Sequence, residues 1–226
     1  MKRNQSGFTL IEIAIVLVII GLLLGGVMKG QELINSAKVK NLASDFKNVS
    51  LYIYSYQDKY HALPGDDALA SSHVTNATNA TAGTNLGNGR IDGKWDDYSA
   101  TSTNESFLFW EHVRKSGIAT GVTSTTDLVG YTPRNTNGGI IGVTNSAAEL
   151  PISGLKGAYI ICSANILGKL ARQLDIMMDD GNTTTGSMQA IDDVGHPSTL
   201  IGATAPAPAA LATFDDAKLY TVCYGV

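Results

Sequence analysis

The chain has 226 residues, which is enough for one globular domain with an appendage, or for at most two small domains. Charged residues make up only 16% of it, against about 25% in typical proteins. The formal net charge is −4 and no run of basic residues forms a stripe, so nucleic-acid binding is not predicted.

The N-terminus combines a short basic leader, residues 1–7, with a long apolar segment. Residues 8–28 read FTLIEIAIVLVIIGLLLGGVM, and their polar side chains are Thr9 and Glu12. As a helix, this segment would span roughly 31 Å, about the hydrocarbon thickness of a bilayer. Lys2 and Arg3 precede it, and basic residues tend to stay on the cytoplasmic side. The sequence therefore predicts a single-pass inner-membrane protein whose C-terminal domain lies in the periplasm or at the cell surface.

Glu12 is a carboxylate within this apolar segment. A charge surrounded by lipid is unfavourable unless it is neutralised or paired, so such residues are functional candidates. The alternative is a carboxylate at the membrane edge that reaches water.

The stretch Gly7-Phe8-Thr9-Leu10-Ile11-Glu12 resembles the signal of type IV prepilins and type II secretion pseudopilins. The resemblance implies that a prepilin peptidase cleaves between Gly7 and Phe8 and that Phe8 is then N-methylated. It implies that Glu12 pairs with the Phe8 amine of a neighbouring subunit in a helical polymer, built at an inner-membrane assembly platform. Many major pilins carry an early helix-kinking proline. This chain has none before Pro64, which favours a pseudopilin or minor pilin.

Four glycines lie in or just after the apolar segment, at positions 21, 25, 26 and 30. Intervals of four between small residues allow membrane helices to approach closely. The same glycines could instead only make the helix flexible, and the sequence does not separate these hypotheses.

The helix is predicted to continue over residues 29–62 as an amphipathic segment. Apolar residues recur there at intervals of three and four, at Leu42, Phe46, Val49, Ile53, Tyr56 and Tyr60. Pro64-Gly65 is expected to stop it, and Asp66 and Asp67 look like a cap or turn. Residues 63–226 are predicted to form the globular domain.

Several shorter elements are predicted in this domain. Residues 104–115 read as a helix, and weak strands lie within 120–147, including 139–143. Further along, 157–162 reads as a strand, 164–178 as an amphipathic helix, 186–191 and 218–224 as strands, and 203–212 as a loop. Together with the resemblance, this predicts an α+β pilin-like fold, with the long helix packed on an antiparallel sheet beside an extra helix and long loops.

The two cysteines, Cys162 and Cys223, match no zinc-binding spacing. In an exported domain, one disulfide between them is expected. The alternative is two buried free thiols.

A glycine-rich acidic loop, residues 87–97, partly resembles a calcium loop. Its candidate ligands are Asn88, Asp92, Asp96 and Asp97. Arg90 and Lys94 occupy positions where a calcium loop would have ligands, so the match is incomplete. A second acidic cluster, at residues 175, 179, 180 and 182, fits a helix end as well as a metal site.

No catalytic motif is found, and the four histidines, at positions 61, 73, 112 and 196, are expected to be polar surface residues. The sequence therefore favours a structural subunit of a type IV pilus-like filament or type II secretion pseudopilus that is not an enzyme and needs no cofactor other than calcium, if any. The alternative is a monomeric membrane-anchored periplasmic binding module, with or without a dependence on calcium.

Overall fold

The computed structural model describes residues 9–81, 86–98, 103–145, 150–193 and 214–226. Its helices are α1 Leu10–Tyr60, α2 Ala70–His73, α3 Glu105–Lys115, α4 Leu128–Tyr131 and α5 Gly168–Met178. Its strands are β1 Ile141–Thr144, β2 Ile160–Leu167, β3 Met188–Asp192 and β4 Leu219–Gly225. A long N-terminal helix with a four-stranded antiparallel sheet is the α+β, pilin-like layout that the sequence predicts. The leader, Phe8 and the predicted loop at 203–212 lie outside the described residues.

The chain divides into two units, one ending at Lys38 and one beginning at Val39, and α1 contributes to both. No described residue of the first unit is buried. Every described residue of the two hydrophobic cores belongs to the second unit.

In the second unit, α1 buries one face. Its buried residues recur at intervals of three and four, at Val39, Leu42, Phe46, Val49, Ile53 and Tyr56. Because 3.6 residues make one turn, these side chains share one stripe of the helix. The ring of Phe46 lies edge-on to Tyr224 of β4, with ring centroids 6.2 Å apart. The predicted stripe is confirmed, although its last member, Tyr60, is only half-buried.

The helix ends at Tyr60, two residues before the predicted bound of 62, and it is closed by His61, ahead of Pro64. His61 has a φ of 56°, the left-handed conformation that commonly closes helices, and its N–H donates to the Gln57 carbonyl at 2.9 Å. Gly65 follows with a φ of 94°, and a Cβ there would overlap the carbonyl oxygen of Glu105. This turn therefore requires glycine for its conformation and for its close approach to α3.

The sheet has the strand order β1-β2-β4-β3, with all pairs antiparallel. Side chains alternate between its two faces, as pleating requires. Ile161 and Val222 belong to the main core with α1. Cys162 and Cys223, their neighbours in sequence, belong to a second core with residues such as Trp95.

The boundary between β2 and α5 differs from the prediction. Residues 164–167, predicted to begin a helix, extend β2, which itself begins at Ile160 and not at residue 157. The pairing is interrupted between Ser163 and Ile166, where Asn165 has a φ of 58°. This irregularity behaves as a bulge, because the strand resumes with Ile166 opposite Tyr220 of β4. The other predicted elements coincide with β1, β3, β4 and α3 to within a few residues.

Candidate functional site

The apolar helix begins with reciprocal hydrogen bonds between Thr9 and Glu12. The N–H and the hydroxyl of Thr9 each donate to Glu12 Oε2 at 2.8 Å. The N–H of Glu12 donates to Thr9 Oγ1 at 3.4 Å. This is a capping box, which satisfies donors at the start of a helix. Thr9 is a partner of Glu12 that the sequence analysis did not predict, although T-x-x-E before an apolar run is the sequence pattern of a capping box.

The first part of α1 presents an apolar surface on every side. Leu10, Leu22 and Met28 are 89%, 74% and 71% exposed. By length and composition, α1 is the one helix among the described residues that could cross a membrane, and none of its apolar window is buried within the chain. An apolar surface of this extent is typical of a segment covered by lipid or by other protein molecules.

The four glycines of this region make no close contact within the described chain. A Cβ at Gly21, Gly25, Gly26 or Gly30 would meet nothing within 4 Å. No contact with the described residues therefore requires a glycine at these positions. Close approach of another helix and flexibility of this helix therefore both stay predictions for these glycines.

Cys162 and Cys223 form a disulfide that joins β2 to β4. The two residues lie directly opposite each other in the strand pairing, and both are fully buried. The predicted pairing is present, and the alternative of two free thiols is wrong. With a sequence separation of 61 between the cysteines, the chain-entropy model gives a stabilisation of roughly 4 kcal/mol.

The predicted calcium ligands of residues 87–97 do not form a compact carboxylate group. Asn88 Nδ2 donates to Asp92 Oδ2 at 3.1 Å, and Asp97 accepts a hydrogen bond from Asn104. Asp96 is buried. Within the described residues, the acidic side chains whose oxygens converge in a set of three lie elsewhere, after α5. Calcium at Asn88, Asp92, Asp96 and Asp97 therefore stays a prediction.

Two buried carboxyls hold the same loop against the domain. Asp66 accepts hydrogen bonds from the N–H groups of Gly87 at 2.6 Å and Gly89 at 2.8 Å. Glu105 Oε2 accepts the N–H of Asp92 at 2.8 Å. Burial raises the pKa of Glu105 to about 7, and the charges of Asp66 and Asp92 add to the rise, while the hydrogen bond from Asp92 opposes it. Asp66 therefore anchors a distant loop, a role its position after Pro64-Gly65 does not indicate.

Asp67 collects three hydrogen bonds at the end of α1. It accepts from the Leu69 N–H at 2.9 Å, from the Tyr56 hydroxyl at 2.9 Å and from His73 Nδ1 at 2.7 Å. Burial and the hydrogen bond to Asp67 raise the pKa of Tyr56. The hydrogen bond from the Leu69 N–H closes the turn that the sequence predicts at Asp67. A cavity of about 620 Å³ opens beside Asp67, and its lining includes Tyr60 and His73.

The histidines do not all behave as predicted. His61 is exposed and His73 half-buried, whereas His196 lies outside the described residues. His112 is fully buried, so its assignment to the surface is wrong. Its Nδ1 accepts the Gly65 N–H at 2.9 Å, its Nε2 donates to the Thr78 carbonyl at 2.7 Å, and burial lowers its pKa. His112 thus joins α3 to two loops.

Comparison with known protein families finds one matching segment, at the N-terminus of the chain. Residues 2–28 match the family model described as the prokaryotic N-terminal methylation motif. No curated protein matches the chain, and no solved structure matches it. The matched residues contain Gly7, Phe8 and Glu12, and most of the exposed apolar surface of α1. At its N-terminus the chain therefore carries the prepilin signal of type IV pilin-like and pseudopilin precursors.

Proposed function

We propose that this protein is a structural subunit of a type IV pilus-like filament or of a type II secretion-type pseudopilus, and not an enzyme. A prepilin peptidase removes residues 1–7, and Phe8 becomes the methylated N-terminus. The mature chain stays in the inner membrane through residues 8–28 until the assembly platform adds it to a polymer. One observation carries this proposal: no described residue of the chain covers the apolar surface of α1 up to Met28.

The helix is suited to two environments, lipid and a bundle of its own copies, because both cover its apolar side chains. Thr9 gives Glu12 hydrogen bonds but no positive charge. A neighbour's Phe8 amine supplies that charge when subunits pack with a stagger. This contact joins two different surfaces of the subunit. Because each added subunit leaves the same surface free for the next one, the contact generates an open filament.

Glu12→Ala tests the proposal, with Glu32→Ala as the matched control. Glu32 lies on the same helix, is exposed and pairs with Lys29 at 2.6 Å, outside the apolar segment. In cells with the assembly machinery, Glu12→Ala should remain in the membrane fraction and be absent from sheared filaments. Glu32→Ala should assemble like the unaltered protein. Cysteine crosslinking between neighbouring helices provides a second measure of assembly.

A monomeric anchored binding module predicts a different result. Such a module would stay unassembled as the unaltered protein and would tolerate Glu12→Ala. That outcome would overturn the filament proposal.

Processing is tested separately by mass spectrometry of the membrane fraction. The mature chain should begin at methylated Phe8, and Gly7→Val should retain the leader. An intact Met1 in cells that contain the peptidase would contradict the proposed cleavage.

A further inference from the structure

Arg114 of α3 is a buried cation. It is 8% exposed, and its Nη1 donates to the carbonyl oxygens of Val122 at 3.0 Å and Tyr131 at 2.5 Å. Its guanidinium carbon lies 5.3 Å from the ring centroid of Trp110 and 5.1 Å from that of Tyr131. Carbonyl oxygens and aromatic rings attract a cation, but none of these groups carries a negative charge.

No carboxylate of the described residues balances the charge of Arg114. The residue takes part in none of the ion pairs among them. Burial lowers the pKa of Arg114, against smaller rises caused by the hydroxyls of three tyrosines, at positions 131, 98 and 52. Because buried charges are normally paired, this guanidinium indicates that an anion is missing.

Arg114 lines a cavity of about 140 Å³ that is bounded by α1, α3 and β1. Its Nη1 is occupied by Val122 and Tyr131, which do not line the cavity. Its Nε has no hydrogen-bond partner among the described residues, and a Cβ at Gly121 would lie only 2.6 Å from it. Nη2 is therefore the guanidinium nitrogen that remains for a ligand in the cavity.

The charges around the cavity favour an anion. Arg134 also lines it, and this exposed side chain donates to the Gly138 carbonyl at 2.8 Å without forming an ion pair with a described residue. Asp45 is the acidic member of the described lining and pairs with neither arginine. Burial raises the pKa of Asp45 to about 6, so near neutral pH two positive charges face one negative charge.

We infer that this cavity binds a small oxyanion, a phosphate or carboxylate group, between Arg114 and Arg134. Guanidinium groups suit oxyanions because their donors are fixed in a plane and stay charged. The cavity is smaller than the roughly 300–1,000 Å³ of pockets for drug-sized ligands, which limits the ligand to a small group. Asn48 and Thr120 supply neutral polar groups to the lining. The site does not depend on the filament role.

Phosphate titration of the full-length protein in a non-ionic detergent tests the inference, with acetate as the carboxylate probe. The starting buffer contains neither ion. Calorimetry should detect saturable binding of at least one probe, and the unfolding midpoint should rise with its concentration, because the anion binds only the folded cavity. If neither probe binds saturably up to millimolar concentrations, the inference is overturned.

Arg134→Gln is the main variant, because Arg134 is exposed and its loss leaves the buried contacts of Arg114 in place. It should weaken binding at least about fivefold, since a charged donor is removed. Arg90→Gln removes an exposed arginine outside the cavity and should leave the affinity unchanged. It also controls for the general stabilising effect of phosphate salts. Equal affinities of the two variants would overturn the inference.

Asp45→Asn separates a ligand site from an internal balance of charges. If an oxyanion binds between the arginines, loss of the repelling carboxylate should strengthen binding about threefold or more near neutral pH. An unchanged or weaker affinity would mean that Asp45 itself balances the arginines, and the inference would fail.

Discussion

Glu12 Oε2 accepts two hydrogen bonds from Thr9, one from its N–H and one from its hydroxyl, each at 2.8 Å. The other oxygen, Oε1, receives no hydrogen bond from the described residues. Glu12 is therefore oriented by its own helix while one oxygen stays available. A neighbour's amine could bind Oε1 without breaking the cap.

Thr9→Val should loosen the start of α1. The substitution removes the hydroxyl that donates to Glu12 and accepts the Glu12 N–H. In detergent, hydrogen exchange of the first-turn amides should accelerate about fivefold. Thr9→Ser keeps the hydroxyl and should match the unaltered protein. Identical exchange in the valine variant would show that the cap contributes nothing.

Loss of the Cys162–Cys223 disulfide should destabilise the domain by about 2–5 kcal/mol. The bond closes a long loop and links two central strands. Denaturant unfolding of the double variant Cys162→Ala/Cys223→Ala, compared with the unaltered protein, measures the effect. Reductant should lower the stability of the unaltered protein and have no effect on the variant. Equal sensitivity of both proteins would refute a role for the disulfide.

Glu105 should make stability fall as pH rises from about 4.5 to about 7. Its folded pKa is raised to about 7 from an ordinary 4.5, because burial disfavours the charge. The folded state therefore holds a proton that the unfolded state has lost in this range, and folding becomes weaker as the pH increases. The contribution is fully present below about pH 4.5 and lost above about 7.

Glu105→Gln isolates this effect. The variant should be more stable than the unaltered protein at pH 8, by an amount on the order of 3 kcal/mol, and similar to it at pH 4. Denaturant unfolding at a series of pH values gives both curves. Asp45 and Asp175, whose pKa values burial raises to about 6, contribute slopes of the same sign that remain in the variant. Parallel curves for the two proteins would mean that Glu105 is ionised throughout.

Gly65→Ala should destabilise the domain more than Gly117→Ala. Both glycines have left-handed backbone conformations, with φ values of 94° and 79°. A Cβ at Gly117 would meet open space, whereas one at Gly65 would overlap the Glu105 carbonyl. We expect about 1 kcal/mol of destabilisation at Gly117, from backbone strain, and about 1–3 kcal/mol more at Gly65. Equal unfolding midpoints would show that the turn relaxes freely.

Local patterns in the sequence predicted the parts of the fold that depend on nearby residues. The stripe of α1 follows from intervals of three and four, because one helix face meets the core. The β2–α5 boundary could not be placed in this way. Ile166 and Leu167 fit a helical face in sequence, but they pair with Tyr220 and Leu219, which are more than fifty residues away.

The candidate sites also differ in whether their residues lie close together in the sequence. The prepilin signal is contiguous, so sequence alone identifies it. The burial of His112 depends on Gly65 and Thr78, 47 and 34 residues away in the chain. Likewise, the sequence spacing of Asp175, Asp179 and Asp180 does not reveal that one oxygen of each lies within 4.8 Å of the others.

The strand order β1-β2-β4-β3 places residues 219–225 between two strands that precede them in the chain. Until β4 arrives, β3 has no strand partner among the described residues, and Cys162 has no thiol opposite it. Synthesis proceeds from the N-terminus, so the sheet is completed only after β4, its last strand in chain order, has emerged. Such non-local pairing slows folding. We therefore expect the two thiols to be oxidised late, once the domain has folded.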